Sequence, residues 1–493
     1  LFALPISLEA LARAETVIVA GLDTRFSFSV AGVQVRRAMR RGGRLVVVDA
    51  RESNLARVAD RWLRARPGDE ARTLTGLLHD VRAGGGDGAG ARHDAQGGVG
   101  AGDDARAGDD AGRGTLAVVI GPRVFDCAGA AELLPELEAL AARPGVSILP
   151  LAHGANVRGA LELGTLSGVL PGPRLAAGSG LDLAQLRAGR RPRVLYLVGE
   201  APFATRPDCE LVIAQDLYLP PFEVDAFLPA ASFVEAEGTL TSIEGRVQDL
   251  RRVERWPAGA VHGFALPDWR IFSDLAGRLG RPDLQYADAA AVRTAIRAEA
   301  PGFPDELDRR PRSMTPIGDK AGAAASAAAA SAAAATAAAP DGGRPRGGEA
   351  TATDDGLAGR GRFVLVVEHA SLRHRGVDLA AVVEGLGELH LEEALSMNPD
   401  DLARLGVEPG GAVTVGLDGI DLVRATRPDP DCPRGAAYLV CDEAWESSSQ
   451  PVRVSIRAGD RSRKPRPRPV RRAQAAAAGS RSGKKGGGRG PGR

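Results

Sequence analysis

Short apolar runs separated by stretches of helical period recur through the first 300 residues. TVIVAG (16–21) reads as a buried strand ending in a glycine turn, and RLVVVDA (44–50) as a second strand. Between them Val33, Val35, Ala38 and Met39 mark a helix that Gly42-Gly43 stops. Two apolar strands joined through a helix are a βαβ unit of a parallel sheet. The pattern resumes with LAVVIG (116–121), a helix over 129–142 and the strand VSILPL (146–151). RVLYLVGE (193–200) and LVIAQDLYL (211–219) follow as strands. Residues 256–300 read as helical, with DWRIFSDLAGRLG amphipathic. This alternation predicts an α/β fold with a doubly wound parallel sheet.

Beyond residue 360 the period shortens. FVLVVEHAS and GELHLEEALSMNP read as extended, MNPDDLARLG as a short helix, and a PGG turn leads into a Val-rich strand. DLVRATR and AAYLVCDEAW are also strand-like, so a small C-terminal β-barrel is expected. Low-complexity stretches divide the chain. Residues 84–114 are rich in Gly and Asp, 305–360 contain a long Ala run, and 457–493 are basic. None carries enough large apolar side chains to offset ordering entropy. The expected organisation is an α/β segment at 1–83, a disordered insertion at 84–114 and a second α/β segment at 115–304. A linker at 305–360, a barrel at 361–456 and a disordered tail at 457–493 complete it.

At 493 residues the chain exceeds one core, and two to four domains are expected. The net charge of +1 hides an asymmetry: residues 457–493 hold 13 Lys+Arg against one acid, Asp460, so the remainder is −11. No aromatics interleave the basic tail, which argues for a solvated segment rather than a nucleic-acid site. The four cysteines are scattered, with no CxxC, and the histidines form no HExxH. No iron–sulfur cluster, structural zinc or other metal site is encoded by these residues. The Ala-rich run is too weakly apolar for a convincing membrane span. No secretory signal is visible, and Leu1 in place of Met suggests the C-terminal part of a longer polypeptide.

Two strand ends invite chemistry. Gly21 closes the first strand and Asp49 the second, and ligands of parallel α/β sheets bind at such carboxyl ends. GLDTRFS lacks GxGxxG, so the NAD-type fingerprint is absent, and a turn glycine with a capping Asp is an equal reading. The richest segment is 224–248, VDAFLPAASFVEAEGTLTSIEGRVQ. Its two Glu-Gly pairs, Arg246 and Gln248 combine backbone freedom with directional donors and acceptors, which suits the edge of a flat, heteroatom-rich ligand.

This segment resembles the signature of the molybdopterin oxidoreductase superfamily. VIVAGLDTRFS, VVVDARES, LRARPGDEARTL, LAHGANVRGALELG and LVGEAPF resemble further segments of it, in the same order. LSMNPDDLARLGVEPGGAVTV resembles its C-terminal cofactor-covering barrel. The likeness covers roughly residues 14–80, 116–280 and 362–445. It implies a molybdopterin-oxidoreductase fold and cofactor contacts with molybdopterin guanine dinucleotide. The implied residues are Gly21, Asp49, Arg51, Gly68, Asp69, Asn156, Gly159, Gly199, Glu200, Pro202, Glu237, Gly238, Glu244, Gly245, Arg246, Gln248, Asn398 and Asp401. No catalytic residue and no metal ligand is implied. The chain departs from the pattern at Asp23-Thr24 and Ala201-Pro202, where the family often has Asn-Pro.

The run ILPLAHGANVRGALELGTLSGVLPG (148–172) most resembles the large iron–sulfur subunit of NADH-quinone oxidoreductase, respiratory complex I. That branch implies a peripheral-arm subunit on the cytoplasmic side of the cell membrane, partnered by the other subunits and, through them, by NADH and quinone. It implies electron transfer coupled to proton pumping, with iron–sulfur clusters expected only upstream of Leu1 and the pterin retained or lost. The alternatives are the catalytic subunit of a true molybdopterin enzyme, such as a formate dehydrogenase, and a non-catalytic interaction protein that kept the fold. The 235–248 loop is expected in a cleft facing Gly21, Asp49 and Gly199, with Arg246 paired there.

Overall fold

The computed structural model describes residues 7–83, 115–253, 265–304, 361–369, 373–374, 377–378, 394–417, 420–441 and 452–459. Single positions at 26, 128, 173, 179, 188, 200, 202, 204, 221 and 301 are excepted. The stretch 84–114, the linker 305–360, the tail from 460 onward, Glu200 and Pro202 lie outside the described residues.

Five strands form the first sheet: β1 (Thr16–Ala20), β2 (Arg44–Asp49), β3 (Arg61–Arg64), β4 (Leu116–Ile120) and β5 (Val146–Pro150). Their order is β3-β2-β1-β4-β5, all parallel. Val17, Val19, Val47, Val48, Val118 and Val119 are fully buried, as both faces are covered. Each such side chain contributes roughly 1.5–3 kcal/mol by leaving water. The helices α1 (Leu8–Leu11), α2 (Ser29–Arg40), α3 (Glu70–Arg82) and α4 (Ala130–Ala141) flank the sheet. Leu74 and Leu78 of α3 and Leu133, Leu137 and Leu140 of α4 recur at helical spacing and are fully buried. The sequence reading did not include β3 or α3. RWLR is too short to show a period, and α3 has no side-chain N-cap hydrogen bond, its end signals being an acid in the first turn and His79 and Arg82 in the last.

The helix α5 (Val157–Glu162) and the hairpin β6 (Val169–Leu170) and β7 (Arg174–Leu175) come next, followed by the short α6 (Leu183–Arg187). A second parallel sheet contains β8 (Val194–Val198), β9 (Leu211–Asp216) and β10 (Ala226–Pro229), in the order β10-β9-β8. The Glu-Gly segment is an antiparallel hairpin of β11 (Gly238–Thr241) and β12 (Val247–Leu250), not an open loop. The helices α7 (Asp268–Arg278) and α8 (Ala289–Glu299) fulfil the helical expectation for that region.

The C-terminal region is β-rich. After β13 (Arg362–His369), the strands β14 (Arg373–His374) and β15 (Val377–Asp378) make a short ladder. β16 (Leu395–Met397), β17 (Ala412–Leu417), β18 (Ile420–Pro428), β19 (Ala436–Cys441) and β20 (Val452–Ala458) follow. They close with β13 into a barrel ordered β13-β19-β16-β18-β17-β20. β20 runs to Ala458, two residues into the segment expected to be tail. Asn398 caps the Pro399–Arg404 helix, accepting from the Asp400 N–H at 3.0 Å, and its Nδ2 donates to the Cys432 carbonyl at 2.9 Å.

Asp401, in the first turn of that helix, is fully buried and accepts from the Gly435 N–H at 2.8 Å. Burial raises its pKa, against the Gly435 N–H and the Arg404 and Arg434 charges. A raised folded-state pKa gives stability at low pH that is lost as pH rises through that value. Asp401→Asn is therefore expected to raise the melting temperature at pH 8 more than at pH 4. Calorimetry showing a larger gain at pH 4 would contradict this.

Candidate functional site

The carboxyl edge of the first sheet gathers charge. The chain leaves β1 through Gly21 in the left-handed region (φ +59°) and β2 through Asp49, which is 2% exposed. Arg123 follows β4 and is 7% exposed; its Nη2 donates to Asp49 Oδ1 at 2.8 Å and lies 3.9 Å from Glu70 Oε1. Glu70 opens α3 with no exposure, and its Oε2 accepts from the Gly68 N–H at 2.7 Å. The Arg123 guanidinium thus lies between two buried carboxylates, each of which would be costly to hold out of water without a counter-charge.

The barrel closes over this edge. Arg51 Nη2 donates to Asp429 Oδ2 at 2.8 Å, and its guanidinium sits 5.2 Å from the centroid of the Tyr438 ring. Arg57 pairs with Asp431 at 2.5 Å. Asp429 and Asp431 follow β18, and Tyr438 lies on β19, 1% exposed. Burial drives the Tyr438 phenol far above its ordinary range. Glu70 Oε1 and the Tyr438 hydroxyl make no hydrogen bond among the described residues.

The second sheet repeats the first. Gly21 N–H donates to the Val48 carbonyl at 3.0 Å, and Gly199 N–H to the Gln215 carbonyl at 2.9 Å. Asp49 is the register partner of Arg64 on β3, as Asp216 is of Pro229 on β10. Ala65 N–H donates to the Asp49 carbonyl and Ala230 N–H to the Asp216 carbonyl. Even the entry to the third strand recurs: Asp60 Oδ2 accepts from Leu45 N–H, and Asp225 Oδ2 from Val212 N–H, both at 2.7 Å. β1-β2-β3 and β8-β9-β10 are therefore one design used twice, and Asp216 is the counterpart of Asp49.

The remaining predicted residues fall elsewhere. Glu244 Oε1 accepts from Leu8 N–H at 2.6 Å, and Arg246 Nε donates to Glu244 Oε2 at 2.8 Å within the hairpin. Arg246 is about a third exposed rather than sealed. Asn156 Oδ1 accepts from Thr241 N–H at 2.7 Å and lies 2.4 Å from a Cβ built on Gly159, so that glycine lets α5 meet the hairpin. Arg158 Nη1 reaches the Ile243 carbonyl at 3.0 Å. Glu237 and Gln248 are exposed, while Gly238 (φ +151°) and Gly245 (φ +80°) shape the hairpin. Asp69 pairs with Arg72 at 3.2 Å on the surface, next to the buried Glu70.

Glu70, Arg123, Asp216, Asp429 and Tyr438 had not been singled out from sequence. A faint signal existed for three of them: the doubled acid of PGDE, the GPR after LAVVIG, and the Asp ending LVIAQD.

Cys127 is buried, donates to Glu70 Oε2 at 3.3 Å, and has its thiol pushed far up by burial and by the Glu70 charge. Burial does the same to Cys432. Cys209 is partly exposed. Peptide mapping after iodoacetamide at pH 8 should find Cys209 alkylated and Cys127 and Cys432 intact, since thiolate is the reactive form. Labelling of Cys127 as fast as Cys209 would contradict the buried placement.

The Molybdopterin oxidoreductase family description matches residues 3–278. The chain belongs to the molybdopterin oxidoreductase family. It is 24% identical over 356 residues to the F420-dependent formate dehydrogenase subunit alpha of Methanocaldococcus jannaschii, covering 60% of this chain and 52% of that protein. It is 24% identical over 495 residues to the NADPH-Fe(3+) oxidoreductase subunit alpha of Geobacter sulfurreducens, covering 88% of this chain and 54% of that one. The chain thus spans about half the length of these relatives. In fold it resembles acetylene hydratase from Pelobacter acetylenicus, with a TM-score of 0.51 at 13% identity over 91% of this chain and 78% of the other.

A molybdopterin cofactor is implied by the family, and the two sheet edges fit it unequally. A Cβ on Gly21 would lie 2.5 Å from Val124 Cγ2, so the chain itself fills that side. A Cβ on Gly199 (φ +82°) or on Gly238 would meet nothing within 4 Å. The open strand-end glycine with its neighbouring buried Asp216 suits a nucleotide end; the first edge is filled by its own ion pairs.

Proposed function

We propose that this chain belongs to the catalytic subunit of a molybdopterin-dependent oxidoreductase that acts on a small substrate such as formate. The likeness to formate dehydrogenase alpha subunits over more than half of the chain carries this reading. When bound, molybdopterin guanine dinucleotide supplies metal-centred two-electron chemistry. This chain's share is to hold the nucleotide portion. Gly199 offers backbone free of side-chain obstruction, Asp216 a buried acceptor, and the barrel a lid over the neighbouring sheet edge. Among the described residues no group of three or more His, Cys, Asp and Glu could hold a metal.

The NADH-quinone oxidoreductase reading stands as the alternative, supported by the 148–172 run. Its peripheral, cytoplasmic-side placement, partner subunits and quinone belong to that proposal. The two separate on the intact polypeptide. Molybdenum or tungsten by mass spectrometry, pterin fluorescence after acid oxidation, and formate-dependent dye reduction are expected for the first. Protein free of both metal and pterin would sink it and favour the scaffold.

A further inference from the structure

Around α2 the pairing of surface charge breaks down. Elsewhere Arg13, Arg72, Arg82, Arg193, Arg270 and Arg281 each pair with a neighbouring carboxylate. On α2 stand Arg36, Arg37 and Arg40, with Arg41 at its C-cap, and no acid occurs between Asp23 and Asp49. Arg36 donates to the Asn54 carbonyl at 3.4 Å, Arg37 to Gln34 Oε1 at 3.2 Å and Arg41 to the Ala12 carbonyl at 3.0 Å. Those partners are neutral, and among the described residues none of the four arginines, Arg40 included, forms an ion pair. The helix dipole favours a cation in the last turn. It does not favour like charges three and four residues apart, as Arg36–Arg40, Arg37–Arg40 and Arg37–Arg41 are, because they repel one another along the helix surface. Val30 and Val33 lie on the same outward face, 59% and 47% exposed, while Ala31, Val35 and Ala38 are buried in the core of the sheet. The basic face stands on an acidic body, since the chain before residue 457 carries a net −11.

We infer that the outward face of α2 docks a carboxylate-rich segment of a partner protein through Arg37, Arg40 and Arg41. Carboxylates of the partner supply the counter-charge that this chain withholds, and the planar guanidinium fork takes a carboxylate through two parallel bonds. Exposed valines beside arginines suit a protein interface, in which arginine is enriched and apolar contact fills the centre. The size of the patch argues for a compact acidic segment. From Arg36 to Arg41 the helix advances only about 8 Å. A nucleic acid or an anionic bilayer extends well beyond that and would meet the acidic body on every side. A bilayer would also need long apolar side chains to enter it, whereas the apolar side of α2 is already spent on the core. Neither the cofactor nor redox chemistry takes part in this contact.

Fluorescein-labelled poly-L-glutamate stands in for the acidic partner in anisotropy titrations of the full chain, and a photo-crosslinking form of it is mapped by mass spectrometry. Binding should weaken as salt rises from about 50 to about 300 mM, as contacts between exposed charges do. Cross-links are expected within residues 29–44, which separates α2 from the basic tail. The combined variant Arg37→Glu, Arg40→Glu, Arg41→Glu should bind about tenfold more weakly, the sum of three exposed charge contacts. The combined variant Arg37→Gln, Arg40→Gln, Arg41→Gln relieves the repulsion within α2, keeps the parent's circular dichroism and should also lose affinity, which guards against misfolding of the charge-reversed protein. Vesicles of phosphatidylcholine and phosphatidylglycerol, and duplex DNA, are titrated in parallel. Cross-links confined to the tail, unchanged binding by the glutamine variant, or tighter α2-dependent binding to the vesicles or to DNA would each overturn the inference.

Discussion

Arg123→Met should destabilise the protein by about 3–5 kcal/mol, a large fraction of the roughly 5–15 kcal/mol stability of a typical domain. The substitution keeps most of the side-chain volume and removes the charge. It leaves Asp49 and Glu70, at 2% and 0% exposure, without the guanidinium that lies between them. A carboxylate held out of water without its counter-charge is costlier than the pair was worth, so the penalty comes from what remains rather than from what was removed. A triple variant, Arg123→Met with Asp49→Asn and Glu70→Gln, should recover most of the loss. Urea unfolding of the three proteins measures this. A single substitution costing under 1 kcal/mol, or a triple variant no better than the single, would show that the cluster does not act as a unit.

Arg51→Ala should loosen the barrel from the first sheet at a cost of about 2–4 kcal/mol, somewhat below a fully sealed pair because Asp429 keeps some access to water. Arg51 joins two regions 378 residues apart in sequence through its hydrogen bond to Asp429 and its contact with the Tyr438 ring face. Losing it removes a charge-assisted bond and uncovers Tyr438. The mark of a latch is local. Hydrogen exchange should rise in 429–438 and in the loop after β2, while β13 and β17 inside the barrel stay protected. Uniform loss of protection through the barrel would mean that Arg51 serves the barrel's own folding instead.

Neither residue pair was visible in one dimension, although the fold largely was. Continuous apolar strands at 16–20, 44–49, 116–120 and 146–150 can be buried only in a parallel sheet, and the helices between them follow from the period of Leu and Val. The barrel was legible for a similar reason: 395–417 carries a helix signal, a PGG turn and an alternating strand in succession. Family likeness picked out Gly21, Asp49, Arg51 and Gly68, which do meet at one edge, because strand ends are local features. It could not show that Glu70 rather than Asp69 faces that edge. One residue turns a helix by about 100°, and only packing against the sheet fixes the phase. It likewise gathered Glu244, Arg246 and Asn156 with Asp49, whereas Glu244 and Arg246 pair within their own hairpin and Asn156 ties α5 to it.

The chain by itself determined its family and most of its larger elements, though not β3, α3 or the β11–β12 hairpin, since the legible ones depend on apolar period and turn residues within a few positions of one another. Tertiary structure decided which charges meet. Arg123 reaches Asp49 across 74 residues, and Arg51 reaches Asp429 across 378. The repeat linking Asp216 to Asp49 also emerged only in register, because the spacing from glycine to aspartate differs between its two copies while the hydrogen bonds do not. Periodicity fixes where a chain turns; which distant partner stands beside a buried charge depends on the closure of the sheet and the docking of the barrel.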